Sequence, residues 1–220
     1  MTQKFDKTTE KHLNNINEKY SINDPDSSLY VIDLIENHDI RSEAELVEQI
    51  ADHQEGCERD ECEVESGGTL EDFAEQLYEA QAEEFGTDVY DYETCYEWVY
   101  DLFVCRSLRG RSLEEKAIDR LTEEEKAFSF VKAEKDFDVE KAVDIVVRSG
   151  LNNEVDIAGV QVKPESYEGT ADRIKLTNQR KNEQYDHPVF YLFYDDDEEF
   201  VNVDEVMEQL NAIATELMYQ

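Results

Sequence analysis

The chain has 220 residues, long enough to bury a full hydrophobic core and to carry an enzyme. A formal net charge of -35 alone would suit a disordered acidic chain, but 40% hydrophobic residues in regular amphipathic periods exclude that reading. No run approaches the ~18 apolar residues of a membrane span, and the polar start from Met1 to Lys11 lacks a secretion signal, so a cytoplasmic protein is expected.

The first 110 residues read as helices joined by polar loops. Ser42 with Glu45, and Thr69 with Asp72, carry the spacing of a helix-start capping box. Phe73, Leu77 and Ala80 recur at helical spacing, as do Tyr92, Tyr96, Val99 and Phe103, and both stripes are read as core. Asn23 to Ser28 and Glu63 to Gly68 are loops. A helix is expected from Leu113, with Ser112 and Glu115 as its capping box and Leu113, Ala117, Ile118 and Leu121 as its inward stripe.

From residue 140 the pattern changes. Val143 to Val147 is a β-type run, Gly150 to Asn153 a turn cluster and Val155 to Val162 a second run, which together predict a hairpin. Thr170 to Glu183 is helical in composition, Val189 to Tyr194 is a continuous apolar and aromatic strand, and Val203 to Met218 is a closing helix with Val206, Leu210, Ile213 and Leu217 in phase. The expected order is helix, hairpin, helix, strand, helix.

The acid is not spread evenly. Residues 101–190 carry 15 Lys and Arg against 19 Asp and Glu, whereas the other 130 residues carry 6 against 37. A nucleic-acid binder keeps its phosphate-facing side basic and loads acid elsewhere, as in a chain adapted to a salty cytoplasm. A polyanion that imitates DNA and blocks a nucleic-acid binder is the alternative, and it would need its carboxylates on the working face.

The hairpin offers chemistry. Gln161 and Lys163 alternate to one face of a strand while Val162 faces the core. Asp144, seventeen residues before Gln161 and across a turn, is better placed to join them than Asp156, which lies about 16 Å along the same strand. Hydrolysis of a phosphodiester with Mg²⁺ needs oxygen ligands converging on the metal and a cation near the attacking water or the phosphate. Asp144 and Gln161 supply the oxygens and Lys163 the cation. Glu114 sits on the inward stripe, where a carboxylate is costly without a partner, so it is preferred to Glu115 as a further ligand.

An Asp, a hairpin and Gln-x-Lys, preceded by a Glu-bearing helix and followed by a helix and a strand, resemble the PD-(D/E)xK nuclease superfamily over roughly residues 110–195. Gln161 departs from the usual acid, a variant also found in Mrr-like nucleases. A closer similarity is to the MjaI-type restriction endonucleases, carried by Val143-Asp144, by Val162-Lys163-Pro164-Glu165-Ser166-Tyr167 and by Leu108-Arg109-Gly110 ahead of Glu114. The resemblance implies an α/β restriction-endonuclease-like core over 111–220, a mixed central sheet flanked by helices, with residues 1–110 as a mainly helical N-terminal region packed on it. It also implies a type II enzyme, dependent on Mg²⁺, that cuts double-stranded DNA at a short palindrome, CTAG being the family's target, as a homodimer.

Cations flank the hairpin on both sides in sequence: Arg106, Arg109, Arg111 and Lys116 before it, and Arg173, Lys175, Arg180 and Lys181 after it with Asn178 among them. Arg173, Asn178 and Arg180 are assigned to base recognition and Lys175 and Lys181 to phosphate, with Arg109 and Arg111 as further DNA contacts. The plain alternative for each is an offset to a neighbouring acid.

Four cysteines are too few for a disulfide scaffold and are read as thiols. His53-x3-Cys57-x4-Cys62 contains zinc-ligand types at a spacing that matches no standard knuckle. His12, His38 and His187 lie in polar settings without a nucleophile motif and are expected at the surface.

Overall fold

A computed structural model describes residues 5–22, 30–54, 68–134, 137, 140–149, 155–170 and 172–218. The chain forms two compact units, Met1–Gly110 and Arg111–Gln220. The loops 23–28 and 63–67 and the hairpin turn 150–153 lie outside the described residues, as do Cys57 and Cys62.

The first unit is helical. It contains α1 (Lys7–Tyr20), α2 (Val31–His38), α3 (Glu43–Gln54), α4 (Leu70–Phe85) and α5 (Tyr92–Tyr100). Starts follow side-chain chemistry: Asp6 accepts from the N–H groups of Thr8 and Thr9, and Thr69 with Asp72 forms the complete capping box before α4. Ser42 accepts from the Glu45 N–H at 3.4 Å while the Glu45 carboxylate accepts from the Arg41 N–H. Leu13, Leu34, Leu46, Phe73, Leu77 and Trp98 are among the residues filling the core.

Two expectations change here. A π-helical turn at Asp101–Cys105 follows α5, and its extra residue shifts the helical phase. Along this stretch the buried side chains are Cys95, Trp98, Val99, Phe103 and Val104, whereas Tyr92 is exposed and half-buried Tyr96 runs between Tyr92 and Tyr100 in a ladder of rings. The helix after the π turn, α6 (Arg106–Glu124), then runs straight through Ser112. Ser112 caps nothing, and Glu115 pairs instead with Arg111 one turn back, at 3.2 Å.

The second unit is a four-stranded mixed sheet in the order β1-β2-β3-β4, comprising β1 (Phe128–Lys132), β2 (Ile145–Ser149), β3 (Asp156–Pro164) and β4 (Val189–Tyr194). The first two pairings are antiparallel and β3 with β4 is parallel. The parallel partner is reached through a 3-10 turn at Glu165–Gly169 and helix α7 (Asp172–Asn182). Helix α8 (Val203–Met218) closes the unit. Strand β1 was not anticipated, because its Phe-Ser-Phe-Val-Lys alternation is only five residues long.

One sheet face packs Phe128, Phe130, Ile145, Val147, Val160 and Val162 against Leu113, Ala117 and Leu121 of α6 and Val206 and Leu210 of α8. Burying a branched or aromatic side chain of this kind contributes about 1.5–3 kcal/mol. The other face carries Val146 and Gly159 under Val143 and Tyr185, a smaller cluster. Strand β4 is an edge, and of its residues only Leu192 is fully buried. Asn202 covers part of that edge by accepting from the Phe193 N–H at 2.7 Å and donating to the Tyr191 carbonyl at 2.9 Å. The architecture is the mixed α/β sheet flanked by helices, with a helical N-terminal region.

Candidate active site

Strand β3 alternates its side chains between the two sheet faces, so Val160 and Val162 enter the main core and Gly159, Gln161 and Lys163 share the opposite face. Asp144 lies in a bend just before β2, one residue short of the strand in which it was expected. It continues the ladder nonetheless: its N–H donates to the Val160 carbonyl and its carbonyl accepts from the Ala133 N–H, both at 3.0 Å. One step beyond the Ile145–Val160 pair, Asp144 therefore faces Gln161 on the face that Lys163 shares.

Asp144 is 8% exposed and its Oδ2 accepts from the Val162 N–H at 2.7 Å. That charge-assisted bond fixes one oxygen, and a carboxylate accepts at about four positions. Two residues earlier, Ala142 is buried with φ +53°, a left-handed conformation that costs a non-glycine residue about 1–3 kcal/mol and turns the chain into the Asp144 bend.

Gly159 completes the placement. A Cβ there would meet the two Val143 methyls at 2.9 and 3.0 Å and the Tyr185 ring at 3.2 Å, so only glycine lets Val143 lie against β3 and set Asp144 beside Gln161.

Gln161 is 2% exposed and its Oε1 has no hydrogen-bond partner among the described residues. A buried amide oxygen without a donor is uncommon and costs about 1–3 kcal/mol. A hard cation accepts such an oxygen beside a carboxylate, so these two donors fit a Mg²⁺ ion. Among the described residues no group of three or more His, Cys, Asp or Glu forms a ready-made metal cluster. Lys163, two residues further along β3, is half-buried.

Glu114 is half-buried on α6 and its carboxylate lies 3.3 Å from the Lys132 ammonium at the end of β1. Lys132 is the register partner of Ile145, the residue after Asp144.

An aromatic wall that sequence reasoning did not assign stands beside Gln161. Tyr191 is its register partner on β4 and stacks on Tyr167 and Phe193 at 5.6 and 6.1 Å between centroids. Burial foremost, with the Tyr167 hydroxyl beside it, pushes the Tyr191 phenol up to about 12. The Asn182 amide donates to the Tyr191 hydroxyl and the Asn178 amide to the Tyr167 hydroxyl. Asn178 thus turns toward this wall, while Arg173 and Arg180 lie on the exposed side of α7. Lys175 donates to the Glu168 carbonyl, and Lys181 is half-buried.

On α6, Arg109 is exposed. Arg106 is tied to Asp101 and Glu10, Arg111 to Glu115 and Lys116 to Glu198. Arg120 further along the helix is likewise paired with Glu124. Asp156 pairs with Arg148 at 2.9 Å at the far end of the hairpin.

The histidines differ from expectation. His12 bonds the Tyr90 hydroxyl at 2.8 Å, and His38 is half-buried against buried His53. Cys95 and Cys105 are thiols, and burial first of all pushes them up to about 12 and about 11.

No described helix is long and apolar enough to cross a membrane. A family model described as MjaI restriction endonuclease matches residues 10–208. Neither the curated proteins nor the solved structures yield a match. The family match displaces the alternative reading of the chain as a DNA mimic.

Proposed function

The chain belongs to the MjaI restriction endonuclease family, nucleases that act on DNA, and from that membership we propose that it is a type II enzyme hydrolysing double-stranded DNA at a short palindrome. The family's CTAG is the proposed target, and two copies act as a homodimer because a two-fold site presents the same half to each. Its proposed setting is a salty cytoplasm, to which the net charge of -35 is suited.

The observation that carries the active-site assignment is the buried Gln161 Oε1, without a hydrogen-bond partner among the described residues, on the residue that stands opposite Asp144 across the β2–β3 ladder. Asp144 and Gln161 are the residues that would hold Mg²⁺, with Glu114 as a further carboxylate on the flank. Bound there, the ion supplies charge neutralisation at the phosphate and a more acidic water. Val162, through its N–H, keeps Asp144 oriented while the reaction proceeds. Lys163 orients the attacking water or neutralises charge on the scissile phosphate from the same face. Tyr191 and its stacked neighbours bound one side of the site and limit water entry.

Arg173 and Arg180 are the proposed base or phosphate contacts from α7, with Arg109 a further phosphate contact. Lys175 and Arg111 serve DNA if they exchange their present partners for phosphate, Lys181 is a further proposed phosphate contact, and Asn178 acts through Tyr167. High salt weakens phosphate contacts by counterion release, so specificity in a salty cell leans on base edges and shape.

Incubation with plasmid DNA and Mg²⁺ over a salt series, followed by sequencing of the ends, tests the reading. Discrete cuts at one palindrome support it, and no cleavage at any salt overturns it. Lys163→Ala should abolish cleavage with the circular dichroism unchanged; normal cleavage by that variant removes Lys163 from the mechanism.

A further inference from the structure

Helix α7 buries none of its side chains, and two amides fix which way it faces. Asn178 donates to the Tyr167 hydroxyl at 2.9 Å and Asn182, one turn on, to the Tyr191 hydroxyl at 3.0 Å, so that side of the helix meets the sheet beside Gln161. The opposite side carries Arg173, Leu176, Thr177 and Arg180, all exposed, at the i, i+3, i+4, i+7 spacing of a single stripe.

Folding does not account for this stripe. Leu176 is 51% exposed, more than any other large hydrophobic side chain among the described residues, and it lies between two arginines. Thr177 donates its hydroxyl to the Arg173 carbonyl at 2.9 Å, so its polar end is engaged and its methyl is the group left for a partner. Two apolar groups framed by two guanidinium groups fit a ligand that is charged along its rim and apolar at a point within it.

Charge and size say which ligand. Helix α7 carries four cations against one carboxylate, Asp172, in a chain of net charge -35, so a polyanion is drawn to this element. The stripe from Arg173 to Arg180 is about 10 Å long, or about three base-pair steps. A helix about 10–12 Å across fits the major groove, about 12 Å wide, and not the minor groove, about 6 Å wide. The apolar group that base edges present in the major groove is the thymine C5 methyl.

We infer that α7 enters the major groove of the DNA and that Leu176 and Thr177 read a thymine by closing on its methyl, between base or phosphate contacts made by Arg173 and Arg180. The inference rests on the endonuclease reading above and adds to it two specificity-determining residues and the feature of the target that they select.

Linear copies of one plasmid, amplified with either thymidine or deoxyuridine triphosphate, differ in this methyl alone and serve as paired substrates in Mg²⁺. The wild type should cut the thymine copy faster, by about fourfold for each methyl contacted. Leu176→Ala combined with Thr177→Ser, which drops the methyl and keeps the hydroxyl bond, should bring that ratio to about one. Each single change should lower it part of the way, and because both side chains are exposed the circular dichroism should not change. Equal wild-type rates on the two copies, or a ratio that the double variant leaves intact, overturn the inference while the endonuclease reading stands. A ratio unmoved by Leu176→Ala, together with altered sedimentation of the free protein, assigns Leu176 to a contact between copies and also overturns it. Cleavage of neither copy overturns the endonuclease reading and this inference with it.

Discussion

Gly159 lies so close beneath Val143 that a single added carbon would stand 2.9 Å from a valine methyl. Val143 precedes Asp144, and Gly159 is two residues before Gln161 on the same strand face, so one close approach sets the spacing of both proposed oxygen ligands. The contact lies between apolar groups, yet its consequence is polar: it lets the Val162 N–H reach the Asp144 carboxylate.

Gly159→Ala should therefore push Val143 away from β3. Overpacking of this kind costs about 1–3 kcal/mol, which thermal denaturation reads as a lowered melting temperature. Cleavage should fall by more than the folded fraction does, because Asp144 moves with Val143. A variant as stable and as active as the wild type removes this link.

Gln161→Met should separate stability from activity. It replaces a buried amide whose oxygen has no partner among the described residues by an apolar side chain of similar length, so the melting temperature should rise, by up to the equivalent of about 1–3 kcal/mol. Cleavage should disappear at every Mg²⁺ concentration. Gln161→Glu should instead shift the Mg²⁺ dependence to lower concentrations, and an unchanged titration curve argues against Gln161 as a ligand.

Asp156→Asn discriminates the two hairpin carboxylates. Asp156 is occupied by Arg148 in a half-exposed pair worth about 0–1 kcal/mol, so cleavage should stay within about twofold of wild type. Asp144→Asn should abolish it. Equal losses in the two variants, measured at saturating Mg²⁺, overturn the choice of Asp144.

Stability should fall at alkaline pH. Burial raises the Cys95 and Cys105 thiols in the folded chain to about 12 and about 11, above the ordinary 9.0. Both keep their protons in the native state while the unfolded chain loses them above pH 9, so the unfolded state binds fewer protons and stability declines as pH rises toward 12. Below pH 9 these groups contribute a constant amount. Melting temperatures across pH 8–11 should show a shallower decline for Cys95→Ala than for the wild type.

DNA affinity should depend on the exposed arginines of α7. Arg173→Ala and Arg180→Ala, if each removes a phosphate contact, should reduce the slope of log affinity against log salt by about 1 apiece. Filter binding in Ca²⁺ across a salt series measures this, and slopes equal to the wild type place both residues off the interface.

The hairpin residues were legible because a period of two needs no knowledge of the partner: Gln161 and Lys163 share a face in any strand. Strand Val189–Tyr194 and helix Val203–Met218 were legible because their apolar patterns end sharply. Strand β1 was not, since five alternating residues carry too little pattern. The start of α6 was misread because Ser112 and Glu115 have capping spacing, and only the continuous helix from Arg106 shows Glu115 engaged by Arg111. The pairing of His38 with His53 spans two helices, and Asn178 was assigned to bases although its amide meets Tyr167.

By itself the sequence determined the family, the alternation that separates Gln161 and Lys163 from the core, and the uneven distribution of acid, because each follows from residue identity and spacing along one chain. Only the tertiary structure decided that Asp144 faces Gln161, that Glu114 meets Lys132, that a Tyr167–Tyr191–Phe193 wall adjoins them and that most cations on α6 are already paired. Those relationships join residues from different strands and helices, and they exist only where packing brings the elements together, as Val143 against Gly159 does beside the proposed ligands.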